Sequence, residues 1–366
     1  MREEVFRIIF IFIILGTPFC GAQECEYSNK EKSYICDKIV HQFPNTYYGN
    51  YNLRCEDCQI KNFTNQTFIY DNLLNTLNLT RSAVQNIGPT SFEHFKNLRY
   101  LYLQDNGLKT IAPEAFKGLT QLYELHLEDN LLNTLEPGFL AGVASNLVNI
   151  SRNLLDRLPA QAFADVASVL SLDLSRNHLK ILDKDTFEGI RDLEDLDLSW
   201  NILCHLPLGV FKSLSGLRRL NLDNNKFARL GYGVFSGLEN LSALFLARNS
   251  LQDFDSAVLL PIMHLNKLDI SGNAIYNFDA NEILLNVPTL RVISFEDNIF
   301  SCSLLKNIIQ FFKGKRVEIE NHVSRFEYLN INGIACIEDY TVFQSISLKY
   351  FLQKAQDQAE LLHSYC

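Results

Sequence analysis

Leu98-Arg99-Tyr100-Leu101-Tyr102-Leu103-Gln104-Asp105-Asn106-Gly107-Leu108 sets leucines three, two and five residues apart, with an asparagine two residues before the last of them. The frame returns after 24 residues at Leu122, Leu125, Leu127, Asn130 and Leu132, and again at Leu193, Leu196, Leu198, Asn201 and Leu203. It continues through Leu217 to Asn225, Leu241 to Asn249, Leu265 to Asn273 and, one residue longer, Leu290 to Asn298, with looser matches at Asn153 and Asn177. A fixed period of this length marks a solenoid, whose units bury their apolar faces only against neighbours. The Leu-x-Leu core reads as a short strand with alternate residues turned inward, and pairing from turn to turn, at about 4.8 Å, builds one curved parallel sheet. The asparagine falls where the chain leaves the strand. Its amide both donates and accepts, so it is suited to backbone groups that a buried turn leaves unpaired.

A second column supports the frame: Phe92, Phe116, Phe139, Phe163, Phe187, Phe211 and Phe235 recur at intervals of 23 or 24 residues, and Leu259 takes the next slot. Inward aromatics in such a series are a packing spine, not a cofactor box. Extended backwards, the frame puts Cys55 in a leucine slot and Cys58 in an asparagine slot, so the N-terminal cysteine segment merges into the first repeat. Cys25, Cys36, Cys55 and Cys58 allow three pairings. The shortest closures, Cys25 with Cys36 and Cys55 with Cys58, are favoured, and the crossed pairings stay open because a Cys-x-x-Cys on a strand strains the bridge.

These motifs resemble the extracellular, 24-residue class of leucine-rich repeats. The resemblance implies an α/β solenoid: a horseshoe with a curved parallel sheet, about eleven repeats and disulfide caps. Asn298-Ile299-Phe300-Ser301-Cys302, an apolar helix pattern at Leu304, Leu305, Ile308, Ile309 and Phe312, and then Cys336 look like the C-terminal cap of this class. The cap departs from the usual Asn-Pro-Trp start with four cysteines; Cys302 and Cys336 form a single bridge. The expected divisions are a signal peptide over 1–22, a cysteine cap over 23–72, repeats over 73–298, a C-terminal cap over 299–339 and a helical tail over 340–366.

Composition narrows the function. The 366 residues are 47% hydrophobic with a formal charge of -9, a folded chain whose acidity disfavours nucleic acid and anionic membranes as partners. The apolar run Ile8 to Leu15, ending in small residues up to Ala22, reads as a secretory signal, too short to span a bilayer. Export suits the persistence of disulfides. It also exposes the sequons at Asn62, Asn65, Asn78, Asn149 and Asn240 to glycosylation. A secreted, extracellular glycoprotein with no membrane span is expected.

The exposed strand positions of a solenoid form its concave surface. The middle positions include Tyr102, His126, Asp173, Asp197 and Phe245, with Trp200, Arg218 and Arg219 beside them. Aromatic and arginine side chains among carboxylates have the composition of a binding hot spot, and these eight are the candidate ligand-binding residues. Phe245 is expected to face solvent unless something covers it. Glycans on Asn78 and Asn149 would shield the N-terminal part of the face. Asp173 and Asp197 are spaced like a carboxylate pair, but with no enclosing pocket, burial or placed nucleophile they do not suggest catalysis. The histidines show no metal-ligand spacing, so no catalytic residue, metal or cofactor is expected.

The tail carries a short heptad at Leu348, Leu352, Ala355, Ala359, Leu362 and Cys366. Cys204 and Cys366 are left over once the caps are paired, and Cys366 is the candidate for an inter-chain bridge and a disulfide-linked dimer. In organisation the chain resembles secreted insect leucine-rich-repeat immune proteins, without their long coiled coil; the resemblance implies innate-immune recognition of an extracellular protein ligand. The alternative is a structural protein of extracellular matrix or cell adhesion.

Overall fold

The computed structural model describes residues 25–39, 42–43, 51–56, 58–68, 73–322 and 329–337. The proposed signal segment with Ala22, the helical tail and Cys366 lie outside the described residues. Fourteen strands form one sheet, taken in chain order: β1 (Cys25–Ser28), β2 (Ser33–Asp37), β3 (Asn52–Glu56), β4 (Thr76–Asn78), β5 (Tyr100–Tyr102), β6 (Glu124–His126), β7 (Ala144–Asn149), β8 (Ser168–Asp173), β9 (Asp195–Asp197), β10 (Arg219–Asn221), β11 (Ala243–Phe245), β12 (Lys267–Asp269), β13 (Val292–Ser294) and β14 (Glu318–Glu320). The strands β2 to β14 are parallel, each adding one turn, while β1 folds back antiparallel on β2 and covers the sheet edge. Eleven repeat strands, β3 to β13, lie between the caps.

Register follows the leucine frame. Leu101 pairs with Leu125, Leu172 with Leu196, Leu196 with Leu220 and Leu244 with Leu268. Each is fully or almost fully buried while its strand neighbours stay at the surface, because alternate side chains leave opposite faces. A slip of one residue would turn every leucine to water.

The frame asparagines form the expected polar ladder. Asn130 Oδ1 accepts from Asn106 N at 3.1 Å and Leu108 N at 2.9 Å, and its Nδ2 donates to Leu103 O at 2.9 Å and Leu127 O at 3.0 Å. One amide therefore stitches its own turn to the preceding one, and Asn153, Asn177, Asn201, Asn225, Asn273 and Asn298 repeat the pattern. The residue before the ladder position takes a left-handed conformation, at φ 58° for Asp105, 55° for Arg176 and Trp200 and 54° for Asp297. That turn aims its own N–H at the next turn, as in Trp200 N to Asp223 O at 2.9 Å, so pairing runs on past the strand.

The phenylalanine column is wholly buried on the opposite side. Phe187 stacks on Phe163 at 6.0 Å and on Phe211 at 5.9 Å between centroids. Phe68, one period before Phe92, is buried as well, and Leu259 and Ile283 continue the column on a 3-10 segment (Ser256–Ile262) and on α1 (Ala280–Asn286). The C-terminal cap is α2 (Cys302–Gly314). Ser301 begins it, its hydroxyl accepting from Leu304 N at 3.3 Å, and Leu305, Ile308, Ile309 and Phe312 are buried against the last turn.

Disulfides join Cys25 to Cys36, Cys55 to Cys58 and Cys302 to Cys336. Cys204 is also disulfide-bonded, to a partner outside the described residues, so it is not the spare thiol that the cysteine count suggests. Among the described residues no helix is long and apolar enough to cross a membrane.

Candidate functional site

The concave face is built from the middle strand positions, and its carboxylates have a local task first. As each strand ends, the residue two positions on has an N–H with no ladder partner, and the middle side chain turns to accept from it. Asp173 Oδ1 accepts from Ser175 N at 2.8 Å, Asp197 Oδ1 from Ser199 N at 2.8 Å, and Asp269 Oδ1 from Ser271 N at 2.9 Å. Asn149 and Asn221 do the same for Ser151 and Asp223. Short Asx side chains suit the position because they reach their own backbone two residues on.

Asp173 and Asp197 meet across adjacent turns, and Asn221 Nδ2 donates to Asp197 Oδ2 at 2.8 Å. Both are half-buried, not fully open to water as the sequence reading has it. Burial pushes the Asp173 carboxyl above the usual range, and Asp197 adds to the rise. Asp195 is raised by burial too, against the opposing charge of Arg219.

Tyr102 and His126 stack at 4.9 Å, and His126 sits between two carboxylates, with Nδ1 at 3.1 Å from Glu128 and Nε2 at 3.2 Å from Glu124. Burial lowers the His126 pKa, but the hydrogen bonds and charges of the two glutamates together outweigh it, and the net shift is upward. Arg219 lies 4.3 Å over the Phe245 ring and its Nε is 3.5 Å from Asp195, with Lys267 on the same ring at 5.8 Å. Phe245 is therefore half-buried beneath cations, not pointing freely to solvent. Arg218 turns away to Glu194, at 3.5 Å. Trp200 is 46% exposed, with the Arg176 guanidinium 4.7 Å from its ring. The eight candidates thus fall into three groups along the sheet: Tyr102 with His126; Asp173 with Asp197; and Phe245 with Arg219. Trp200 and Arg218 flank them.

Sequence reasoning missed Asp223 and Glu296. Both stand two residues before a ladder asparagine, in a column that holds serine at Ser151, Ser175, Ser199 and Ser271, and acidic residues in that column were the available signal. Burial first, then the charge of Asp269, push the Asp223 carboxyl up to about 7. Burial raises Glu296 as well. Among the sequons, Asn62 and Asn240 are exposed while Asn65, Asn78 and Asn149 are half-buried. Among the described residues no group of three or more His, Cys, Asp or Glu side chains is placed to hold a metal ion.

A repeat solenoid with a half-buried, charged and aromatic concave sheet defines the class of the fold. The chain belongs to the leucine-rich-repeat family: the family profile described as "Leucine rich repeat" matches residues 72–132, 97–145, 146–203, 195–251 and 215–275, more than half of the sequence. No curated protein matches it. Among solved structures, a chain of the octameric complex of Latrophilin 3, Unc5D and FLRT2 is similar at TM-score 0.67 and 19% identity, over 88% of this chain and 98% of that one. A chain of the Drosophila Toll–Spatzle complex is similar at TM-score 0.58 and 24% identity, over 72% of this chain and 34% of that one, and one of the TLR13–ssRNA13 complex at 0.55 and 24%, over 70% and 45%. The chain thus spans less than half the length of the Toll and TLR13 chains.

Proposed function

We propose that this chain is a secreted binding protein that recognises a protein ligand through its concave face, in innate-immune recognition. The observation that carries the reading is the file of partly desolvated carboxylates from Asp173 to Asp197, continued by Arg219 and Phe245. Such groups cost stability when left bare and gain strength in a water-excluded interface. Three disulfides support an extracellular setting. Toll is solved with Spatzle, TLR13 with a single-stranded RNA, and FLRT2 with Latrophilin 3 and Unc5D. The acidic face favours the protein-binding precedent, because a phosphate backbone seeks lysine and arginine.

The test immobilises the wild-type protein, a Trp200→Ala/Phe245→Ala double variant and an exposed control, Leu208→Ala, and passes extracellular fluid of the source over each. Partners held by wild type and control but lost by the double variant bear out the face. Equal capture by all three overturns it.

The second reading, a matrix or adhesion protein, is favoured by exposed apolar side chains away from this face, Leu208 at 73%, Tyr232 at 68% and Leu285 at 70%. Self-association lost in Leu208→Ala or Leu285→Ala, with the concave variants unaffected, would support it. A disulfide-linked dimer through Cys366 requires that Cys366 is not itself the partner of Cys204, which is already disulfide-bonded. Non-reducing electrophoresis separates a dimer band from a strict monomer.

A further inference from the structure

We infer that the C-terminal end of the concave face carries a pocket for the guanidinium group of an arginine side chain presented by the protein partner, held by Asp223, Asp269 and Glu296. The inference rests on the reading of the concave face as a protein-binding surface and names the chemistry that one end of it takes.

The pocket has a volume of about 180 Å³ and is lined by Asp223, Ala247, Asp269, Ser271, Gly272 and Glu296. It exists because the acidic column is interrupted: Ala247 leaves the slot between Asp223 and Ser271 without a long side chain. Gly272, at φ 64°, has no Cβ, and one placed there would lie 2.9 Å from Arg248 Cγ. Each acid spends one oxygen on the backbone. Asp223 Oδ1 accepts from Ala247 N at 2.6 Å, Asp269 Oδ1 from Ser271 N at 2.9 Å and Glu296 Oε1 from His322 N at 3.0 Å.

The remaining oxygen of Glu296 is the independent sign of a ligand. Glu296 is only 3% exposed, it lines the pocket, and its Oε2 is buried without a hydrogen-bond partner. A buried carboxylate oxygen without a donor is costly, and folding tolerates it where a binding step supplies the donor. Arg248 also lines the pocket but is exposed at its lip. Among the described residues Arg248 forms no ion pair with Asp223, Asp269 or Glu296, and the cation whose charge lowers Asp223 is Arg219.

Guanidinium fits this donor demand better than a metal ion or an ammonium group. Its five N–H groups in a plane can reach separate carboxylates at once, whereas lysine offers a point charge. A calcium ion needs six to eight oxygens, and the described residues provide no such cage. The acids also repel one another: Asp269 raises both Asp223 and Glu296. An incoming cation relieves that repulsion.

The test uses the full chain and N-acetyl-arginine methylamide, followed by ligand-observed NMR, with N-acetyl-lysine methylamide and calcium chloride as comparisons. The arginine probe is expected to bind more tightly than the lysine probe. Asp223→Asn and Glu296→Gln should each weaken it by about tenfold or more, the effect of losing one charge-assisted hydrogen bond. Ala247→Leu, which fills the floor without touching a charge, should abolish binding in a protein whose circular dichroism is unchanged. Affinity should fall as pH drops below 7 and Asp223 takes up its proton, levelling off near the affinity of Asp223→Asn, and His322→Asn separates any share of this from the imidazole.

Arginine binding unaffected by the Asp223, Glu296 and Ala247 variants overturns the pocket, as does calcium binding in its place. Trp200→Ala should leave the probe bound as in wild type. Partner capture that still depends on Trp200 and Phe245 while the probe fails to bind would retain the face and discard the pocket. Probe binding with capture independent of those two residues would do the reverse.

Discussion

The carboxyl of Asp223, pushed up to about 7 by burial and then by Asp269, holds its proton far more tightly in the fold than in the unfolded chain. Between the ordinary carboxylate value and 7 the native state therefore binds more protons than the unfolded one, and stability falls as pH rises through that window. Asp223→Asn keeps the acceptor for Ala247 N and removes the charge. It is expected to raise stability at pH 8 by on the order of 1 to 2 kcal/mol and to change nothing at pH 4, as read by urea unfolding at both values. A loss at pH 8 would show that the charge is compensated. Trp200 offers a second balance. Its left-handed backbone costs about 1 kcal/mol, and its contact with Arg176 returns about 0.5 to 1 at an exposed site. Trp200→Gly should therefore leave the unfolding free energy, read by urea titration, within about 1 kcal/mol of wild type. That makes Trp200 a position at which the proposed binding can be tested apart from folding.

The elements were the most legible part of this chain, and particular residues show why. The strands from Leu98 to Asn298 repeat because each inward leucine meets the same neighbour a turn away, and a periodic environment writes a periodic sequence. The asparagine ladder could be foreseen because a buried turn leaves a known set of unpaired groups. Asp223 and Glu296 were not legible, since their environment depends on which side chains stand one and two turns away, Ala247 above all. The burial of Phe245 under Arg219 escaped for the same reason: it is a relation between turns, not a property of either. The phenylalanine spine gives an element-scale expectation. Phe187→Ala leaves a void between Phe163 and Phe211 and should cost about 4 kcal/mol. Hydrogen exchange should show the loss of protection concentrated in the turns next to Phe187, and an even loss along the chain would contradict the stacking of semi-independent turns.

At the scale of the molecule, the two ends are finished differently from the middle: β1 turns back on β2 behind the Cys25–Cys36 bridge, and α2 covers the last turn, tied by Cys302 to Cys336. From Asn106 to Asn298 successive turns are held to one another through the same asparagine hydrogen bonds. Pulled apart by its ends, such an array has no single breaking point in the middle but many equal ones. Under tension in an optical trap, with the caps oxidised, the chain is expected to pay out in steps of about 80 Å, the extended length of one repeat less its folded rise. One large extension would mean that the turns yield together. A scaffold that lengthened by such increments would keep the unextended part of the proposed binding face intact under load, and the asparagine ladder would then serve as a graded mechanical tether.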